Sequence, residues 1–242
     1  MAVPWFFSPG LKDHPAVLDL ATEESSHLAG SRRLRVGDHV TVFDGAGTTA
    51  AGRVEKIDGR SPKVELALTD FLHVDEYRPR IHLMSAVPKG DRQSILLDMA
   101  TQLGISDYTP LSCVRSTAKP GENATARWQR IMIEACKQSC RAWIPTIHSI
   151  ESVETFANRE KSEQQIVLVA DLAGGPVAQI AAHGLDEVVL LVGPEGGFSL
   201  AEINQLQAAG ATLVALGSGI LRIETAAIAV LVTTLSILRA GS

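Results

Sequence analysis

The stretch from Val188 to Glu202 constrains the fold of this chain more than any other. An unbroken apolar run, Val188 to Val192, passes into Gly193, Pro194, Glu195, Gly196, Gly197 and Phe198, and then into Ser199 with Glu202 three residues on. An apolar run without polar alternation predicts a strand buried on both faces, as in a parallel sheet. Ser199 and Glu202 have the reciprocal spacing of a capping box, so the loop delivers the chain to a helix N-terminus. Strand, glycine loop and helix in that order make a β-to-α unit, and ligands of open α/β sheets bind beyond the C-terminal ends of the strands. Glycine lets backbone amides approach such a ligand closely.

The arrangement recurs one strand later. Thr212 to Leu216 is again apolar, then come Gly217, Ser218 and Gly219, then Ile220, Leu221, Arg222, Ile223, Glu224 and Thr225, and an apolar stretch follows from Ala226 to Leu238. Two strand-ending loops at neighbouring strands can line one pocket, with Arg222, Glu224 and Thr225 as its polar groups. Neither loop has the Gly-x-Gly-x-x-Gly spacing of dinucleotide sites or the Walker phosphate loop, and both lie at the far end of the domain. Nicotinamide and nucleotide-triphosphate chemistry fall on that ground.

The rest of the chain divides by period. From Gly37 to Leu68 the pattern is short and alternating, with His39 to Phe43, a turn at Asp44 to Gly47, a second run to Val54 and a third from Lys63 to Leu68. Period-two patterning around an Asp-Gly turn predicts hairpins, hence a small β module ending near Tyr77. Beyond it, strands are expected at Ile81 to Val87, Ile105 to Leu111, Ile166 to Ala170, Glu187 to Val192 and Thr212 to Leu216. Helices are expected over Asp91 to Leu103, stopped by Gly104, from Asn123 onward, and near 176 to 183 and 200 to 209. This alternation predicts a mainly parallel sheet with helices on both faces. The domains are therefore drawn as 1–77 and 78–242.

Composition narrows the function. With 45% hydrophobic and 20% charged residues the chain can bury an ordinary core. Its start carries no signal-peptide pattern, and Ala226 to Leu238 is too short to span a bilayer, so a cytoplasmic protein with no membrane segment is expected. Cys113, Cys136 and Cys140 read as reduced thiols. Cys136 and Cys140 sit one helical turn apart with no further ligand at zinc spacing, so no metal is expected. The histidines are scattered and read as structural. Net charge is −5, yet Lys and Arg number 8 against 12 Asp and Glu in residues 1–77, 10 against 5 in 78–145, and 4 against 10 in 146–242. The basic middle segment suits a polyanion, because nucleic acid responds to local potential.

At the two glycine loops the sequence resembles the RsmE family of the SPOUT methyltransferase superfamily. The resemblance is carried by Leu191 to Ser199 with Leu216 to Ala226. It extends to Pro88 to Asp91, Gln102 to Ile105, Pro110 to Ser112 with Arg115, Trp128 with Glu134 to Ser139, Arg141 with Pro145, and His27, Leu28, Arg33, Gly37 and Asp38, nearly the whole chain. It implies an α/β SPOUT fold tied in a trefoil knot, preceded by a small PUA-like β-barrel, and a homodimer. The implied activity is S-adenosylmethionine-dependent methylation of N3 of a uridine in 16S ribosomal RNA of the small subunit. Cofactor contacts are implied for Leu172, Val192, Gly193, Pro194, Glu195, Gly196, Leu216, Gly217, Ser218, Ile220, Leu221 and Thr225. Arg222, with Glu224 and Thr225, is the candidate catalytic set. Arg32, Arg33, Arg35, Lys89, Arg92, Arg115, Arg127 and Arg141 are candidates for RNA phosphate contacts. Ser31, Arg32, Gln102, Cys140 and Gly219 depart from the family pattern, mostly on the RNA side. Competing readings are a SPOUT methyltransferase acting on transfer RNA or a ribose 2′-hydroxyl, and a catalytically silent RNA-binding or assembly protein.

Overall fold

The structure is a computed structural model that describes residues 3–59, 63–177 and 184–240. Two compact units result, Met1–Glu76 with Ile133–Ile144, and Tyr77–Met132 with Pro145–Ser242. The single cut drawn from the sequence at Tyr77 thus differs from the structure in residues 133–144, which join the first unit.

The first unit contains β1 (Trp5–Phe7), β2 (Val17–Asp19), the short helix α1 (Thr22–Ser26), β3 (His39–Phe43), β4 (Thr48–Asp58) and β5 (Lys63–His73). They form one sheet in the order β1-β3-β4-β5-β2. The ladders are antiparallel except that β1 runs parallel to β3. Period-two alternation sets the faces: Ala50, Gly52 and Val54 point inward while Ala51, Arg53 and Glu55 point outward. Phe6, Leu11, Leu28, Val40, Val42 and Leu66 lie in the resulting core. The three-residue strands β1 and β2 are too short to show alternation, so sequence patterning misses them.

The turn at Asp44 to Gly47 does more than reverse the chain. Asp44 Oδ1 accepts hydrogen bonds from the amides of Ala46 at 2.7 Å and Thr48 at 3.0 Å. The amide of Ile144 donates to the Gly45 carbonyl at 3.0 Å, and that of Gly47 to the Ala142 carbonyl at 3.2 Å. A Cβ on Gly45 would stand 2.4 Å from Ile144 Cδ1, and one on Gly47 2.7 Å from the Trp143 ring. Both glycines therefore serve a close approach as well as positive φ. Trp143 Nε1 donates to the Val74 carbonyl at 2.8 Å. Lys137 belongs to the same attachment: its buried ammonium donates to Glu24 and Glu134, each at 2.8 Å, and lies 3.1 Å from His27 Nδ1. One cation of the basic middle segment is thus consumed inside a core.

The second unit contains β6 (Arg80–Ala86), α2 (Arg92–Leu103), β7 (Asp107–Ser112), β8 (Thr146–Ile147), β9 (Glu151–Ser152), α4 (Val153–Ala157), β10 (Gln165–Pro176), β11 (Glu187–Val192), α5 (Leu200–Ala208), β12 (Thr212–Ala215) and α6 (Ile223–Ala240). Helix α3 (Ala124–Ser139) begins in this unit and ends in the first. The sheet order is β12-β10-β11-β6-β7-β8, with β9 also on β7, and every ladder is parallel. Central β11 is buried from Val188 to Val192, as its unbroken apolar run requires. Gly104 ends α2 at φ +108°, a conformation natural to glycine. Of the helix expected near 176 to 183, Pro176 is instead the last residue of β10, and residues 178–183 lie outside the described residues.

Candidate cofactor pocket and RNA-facing residues

The neighbouring strands β12, β10 and β11 end side by side, and their C-terminal ends carry the two glycine loops. Between them lies a cavity of about 420 Å³, lined by Asp171 and Leu172 of β10, the loop Gly193 to Phe198, and Leu216, Gly217, Gly219, Ile220 and Leu221. Arg115, from the loop after β7, completes the wall. Of the expected cofactor contacts, Leu172, Val192, Gly193, Pro194, Glu195, Gly196, Leu216, Gly217, Ile220 and Leu221 line the cavity. Ser218 and Thr225 do not; both are exposed. Gly219, which departs from the family pattern, is part of the lining.

Local chemistry fixes the first loop. A Cβ on Gly193 would press on the Phe198 ring at 3.0 Å, so the strand end packs too closely for a side chain. The capping box forms as the sequence predicts: Ser199 Oγ accepts from the Glu202 amide at 3.2 Å, and Glu202 Oε2 accepts from the Ser199 amide at 2.7 Å. Glu202 also reaches beyond its own helix, since its Oε1 accepts from the Val114 amide at 2.9 Å. Next to it, Arg115 Nη1 donates to the carbonyls of Gly196 at 2.7 Å and Phe198 at 3.3 Å. The loops after β7 and β11 are thereby tied together. Sequence spacing could not show this, because the partners lie 81 to 88 residues apart.

Arg92 joins both glycine loops. Its Nη2 lies 3.3 Å from Glu195 Oε1, its Nη1 lies 3.8 Å from Glu224 Oε2, and its Nε donates to the Lys89 carbonyl at 3.1 Å. Glu224 stands in the first turn of α6 with its side chain 13% exposed. Its Oε2 is buried without a hydrogen-bond partner, so the ion pair to Arg92 is its electrostatic support. Arg222 is exposed, and its carbonyl accepts from the Ala226 amide at 2.8 Å at the start of α6. None of Arg222, Glu224 and Thr225 lines the cavity.

The basic candidates fall into three groups. Arg92 and Arg115 hold loops, and Arg127 Nη2 donates to Asp91 at 3.2 Å and Ser94 at 3.0 Å. Arg32, Arg33, Arg35 and Lys89 present exposed side chains. Arg141 is partly buried with an unpartnered Nε, and burial pulls its pKa down. Burial also pushes the thiols of Cys113 and Cys136 up to about 12, Cys113 with help from the Glu202 charge, so both stay protonated at neutral pH. Among the described residues, no group of three or more His, Cys, Asp or Glu could hold a metal ion, and no helix is long and apolar enough to cross a membrane.

A parallel α/β unit with a glycine-loop pocket at the C-terminal edge of its sheet, joined to a small mixed β unit, defines the architecture of a SPOUT-type methyltransferase with a PUA-type module. Residues 76–235 match the family described as the RNA methyltransferase domain, and residues 20–67 match the RNA methyltransferase PUA domain. The chain belongs to the RNA methyltransferase family, among the ribosomal RNA small subunit methyltransferases E. It is 30% identical over 235 residues to the enzyme of that name from Mycobacterium tuberculosis, covering 94% of this chain and 89% of the relative. Identity to the Bacillus subtilis protein is 25% over 217 residues, 84% of each chain. A crystal structure of ribosomal RNA small subunit methyltransferase E from Neisseria gonorrhoeae, bound to S-adenosyl methionine, superposes with a TM-score of 0.87 at 26% identity over 98% of both chains. The structure of Lpg2936 from Legionella pneumophila, in complex with the same cofactor, gives 0.87 at 28% identity over 98% of both chains.

Proposed function

We propose that this protein transfers the methyl group of S-adenosylmethionine to N3 of a uridine in the 16S RNA of the small ribosomal subunit. The observation that carries the reading is the cavity between the two glycine loops, in a chain that matches the RNA methyltransferase family over most of its length. The cavity suits the cofactor in size, since about 420 Å³ falls within the range of roughly 300–1,000 Å³ typical of small-molecule sites. Its lining suits it in chemistry: apolar Leu172, Leu216 and Leu221 for an adenine ring, backbone groups at Gly193, Gly196 and Gly217, and the carboxylates of Asp171 and Glu195 for hydroxyls and positive charge.

When bound, S-adenosylmethionine supplies an activated methyl group on a sulfonium. The residues of the chain must do the rest. Uracil N3 carries a proton at neutral pH that must pass to solvent water before N3 takes the methyl group from the sulfonium, so the enzyme must favour the anionic base and hold it in line. Arg222 is exposed beside the second loop and faces no carboxylate in any described ion pair, which suits it to a developing uracil anion. Thr225, exposed one residue after Glu224, can orient the base. Glu224, being held by Arg92, acts on the position of the α6 start. Arg32, Arg33, Arg35 and Lys89 supply phosphate contacts.

We also read the active form as a cytoplasmic homodimer. Ile95 and Met99 on α2 and Val232 on α6 are exposed apolar side chains on two helices that pack together, which supports a self-association face. Sedimentation should give twice the mass of the chain; a monomer would reject it. The activity is tested by methyl transfer from labelled S-adenosylmethionine to small ribosomal subunits lacking this modification, with mass spectrometry of the nucleosides. N3-methyluridine at one site is the expected product. Label in transfer RNA or on a ribose would move the target, and failure to bind the cofactor would favour a silent assembly protein.

A further inference from the structure

A second cavity of about 520 Å³ opens in the α/β unit, past the ends of β6 and β7. It is formed by two segments, Val87 to Ser94 and Ala118 to Trp128. These segments carry the first turns of α2 and α3, helices of 12 and 16 residues. Helix N-termini concentrate positive potential and unsatisfied amides, so a cleft between two of them attracts anions. Asp91, the N-cap residue of α2, makes no side-chain cap and turns to Arg127 instead.

The side chains reinforce that field. Lys89, Lys119 and Arg127 line the cavity. Lys89 and Lys119 are exposed, and neither enters a described ion pair or side-chain hydrogen bond. Trp128 forms part of the wall and meets the Tyr108 ring edge-on at a centroid distance of 5.8 Å. Gln93 is the unexpected member. It lines the cavity, is 4% exposed, and donates from Nε2 to the Tyr108 hydroxyl at 2.9 Å, while its Oε1 is buried with no partner. A buried amide end without a partner is costly and calls for one. The χ3 torsion of glutamine is broad, so that end can turn toward a ligand in the cleft.

Arg92 links the cleft to the cofactor pocket: Lys89, three residues before it, and Gln93, directly after it, line the cleft, and its guanidinium meets Glu195 on the pocket wall. We propose that the cleft between the first turns of α2 and α3 receives one nucleotide of the RNA strand, a neighbour of the modified base. Its phosphate lies against Lys89, Lys119 and Arg127, its base edge bonds to the free amide end of Gln93, and Trp128 forms the apolar wall. The assignment rests on the RNA-substrate reading above. A strand anchored here and at the first pocket is fixed at two points, which positions the target base by more than its own contacts.

The test uses the full-length protein and a fragment of small-subunit RNA that contains the target. RNA affinity is measured by anisotropy across a salt series, and S-adenosylmethionine affinity by calorimetry. The double variant Lys89→Ala/Lys119→Ala should weaken RNA binding at least tenfold at moderate salt and reduce the slope of log K against log salt by about 0.7, the one single-strand phosphate held in the cleft. Its cofactor affinity should be unchanged. Lys119→Arg should restore the slope that Lys119→Ala loses. Gln93→Leu should weaken binding severalfold without changing the slope, because a base contact carries no counterion. Wild-type affinity and slope in the double variant would overturn the cleft assignment and leave the RNA reading standing. Absence of salt-dependent RNA binding by the wild-type protein would overturn both.

Discussion

The guanidinium of Arg115 donates to the carbonyl of Gly196 at 2.7 Å and so clasps the first glycine loop from a different strand end. Hydrogen bonds from a charged donor contribute about 1.5–3 kcal/mol each where they are shielded from water, and less at Arg115, whose bond to Gly196 is exposed. Arg115→Ala should therefore weaken S-adenosylmethionine binding severalfold, by letting Gly196 and Phe198 move, with a smaller effect on stability. Calorimetric titration checks this. Arg115→Lys should recover part of the affinity, since both bonds leave one nitrogen, Nη1, and an ammonium also carries several donors on one nitrogen. Unaltered cofactor affinity in Arg115→Ala would show that the loop holds its shape alone.

Arg92 pairs with Glu195 of the first loop and with Glu224 in the first turn of α6, so its loss should be felt in turnover more than in cofactor affinity. Arg92→Ala leaves Glu224 mostly buried without its ion-pair partner. A double-mutant cycle with Glu224→Gln should show coupling of about 0.5–3 kcal/mol in kcat/KM, as groups in one network do. Additive effects would place the two residues in separate roles.

Arg222→Ala should depress kcat by two orders of magnitude or more while leaving the affinity for S-adenosylmethionine within about threefold, in line with the loss of an oxyanion-type donor. Single-turnover methyl transfer beside calorimetry separates the two quantities. Equal losses in both would make Arg222 a shaper of the loop.

Acid stability should depend on Glu187 at the start of β11. The imidazole of His82, with Nδ1 3.7 Å from Glu187 Oε1, is the largest influence and holds this carboxyl below its ordinary value of 4.5; Gln165 and the charge of Arg80 act the same way, and together they outweigh burial. A carboxyl lowered on folding contributes stability that is complete above its unfolded pKa and is lost as the pH falls through the folded one. Urea midpoints should therefore fall more steeply from about pH 5 to pH 3 in the wild type than in Glu187→Gln. Parallel curves would remove Glu187 from the account.

Lys137→Met should destabilise the first unit by about 3–5 kcal/mol, because it strands the Glu24 carboxylate in a core. Adding Glu24→Gln to that variant should return a good part of the loss. Denaturation followed by Trp143 fluorescence would report it, since that indole belongs to the same unit.

The strands and helices of the α/β unit were legible where period and caps agree, as in β11 and in the Ser199 and Glu202 box. The pocket was legible too, because glycine at a strand end has few structural uses. What stayed hidden was long-range partnership. Nothing around Arg115, Arg92 or Lys137 in the sequence distinguishes a cation that meets RNA from one that meets a carbonyl or a carboxylate far along the chain. Composition counts such charges alike, so the basic middle segment overstates the surface available to RNA. Gln93 was missed for the same reason, since only the fold reveals an amide end with no partner.

Because Ile133–Ile144 completes the first unit, that unit has no contiguous gene segment of its own. A fragment ending at Glu76 lacks the ammonium that neutralises Glu24 and the backbone that pairs with Gly45 and Gly47. During synthesis the missing piece follows roughly 70 residues later, a delay on the order of ten seconds at ribosomal rates. The first unit must wait in an unfinished state while much of the α/β unit's first half emerges between its two parts. Exchange of the RNA-binding module between relatives by recombination is likewise barred unless two separated stretches move together.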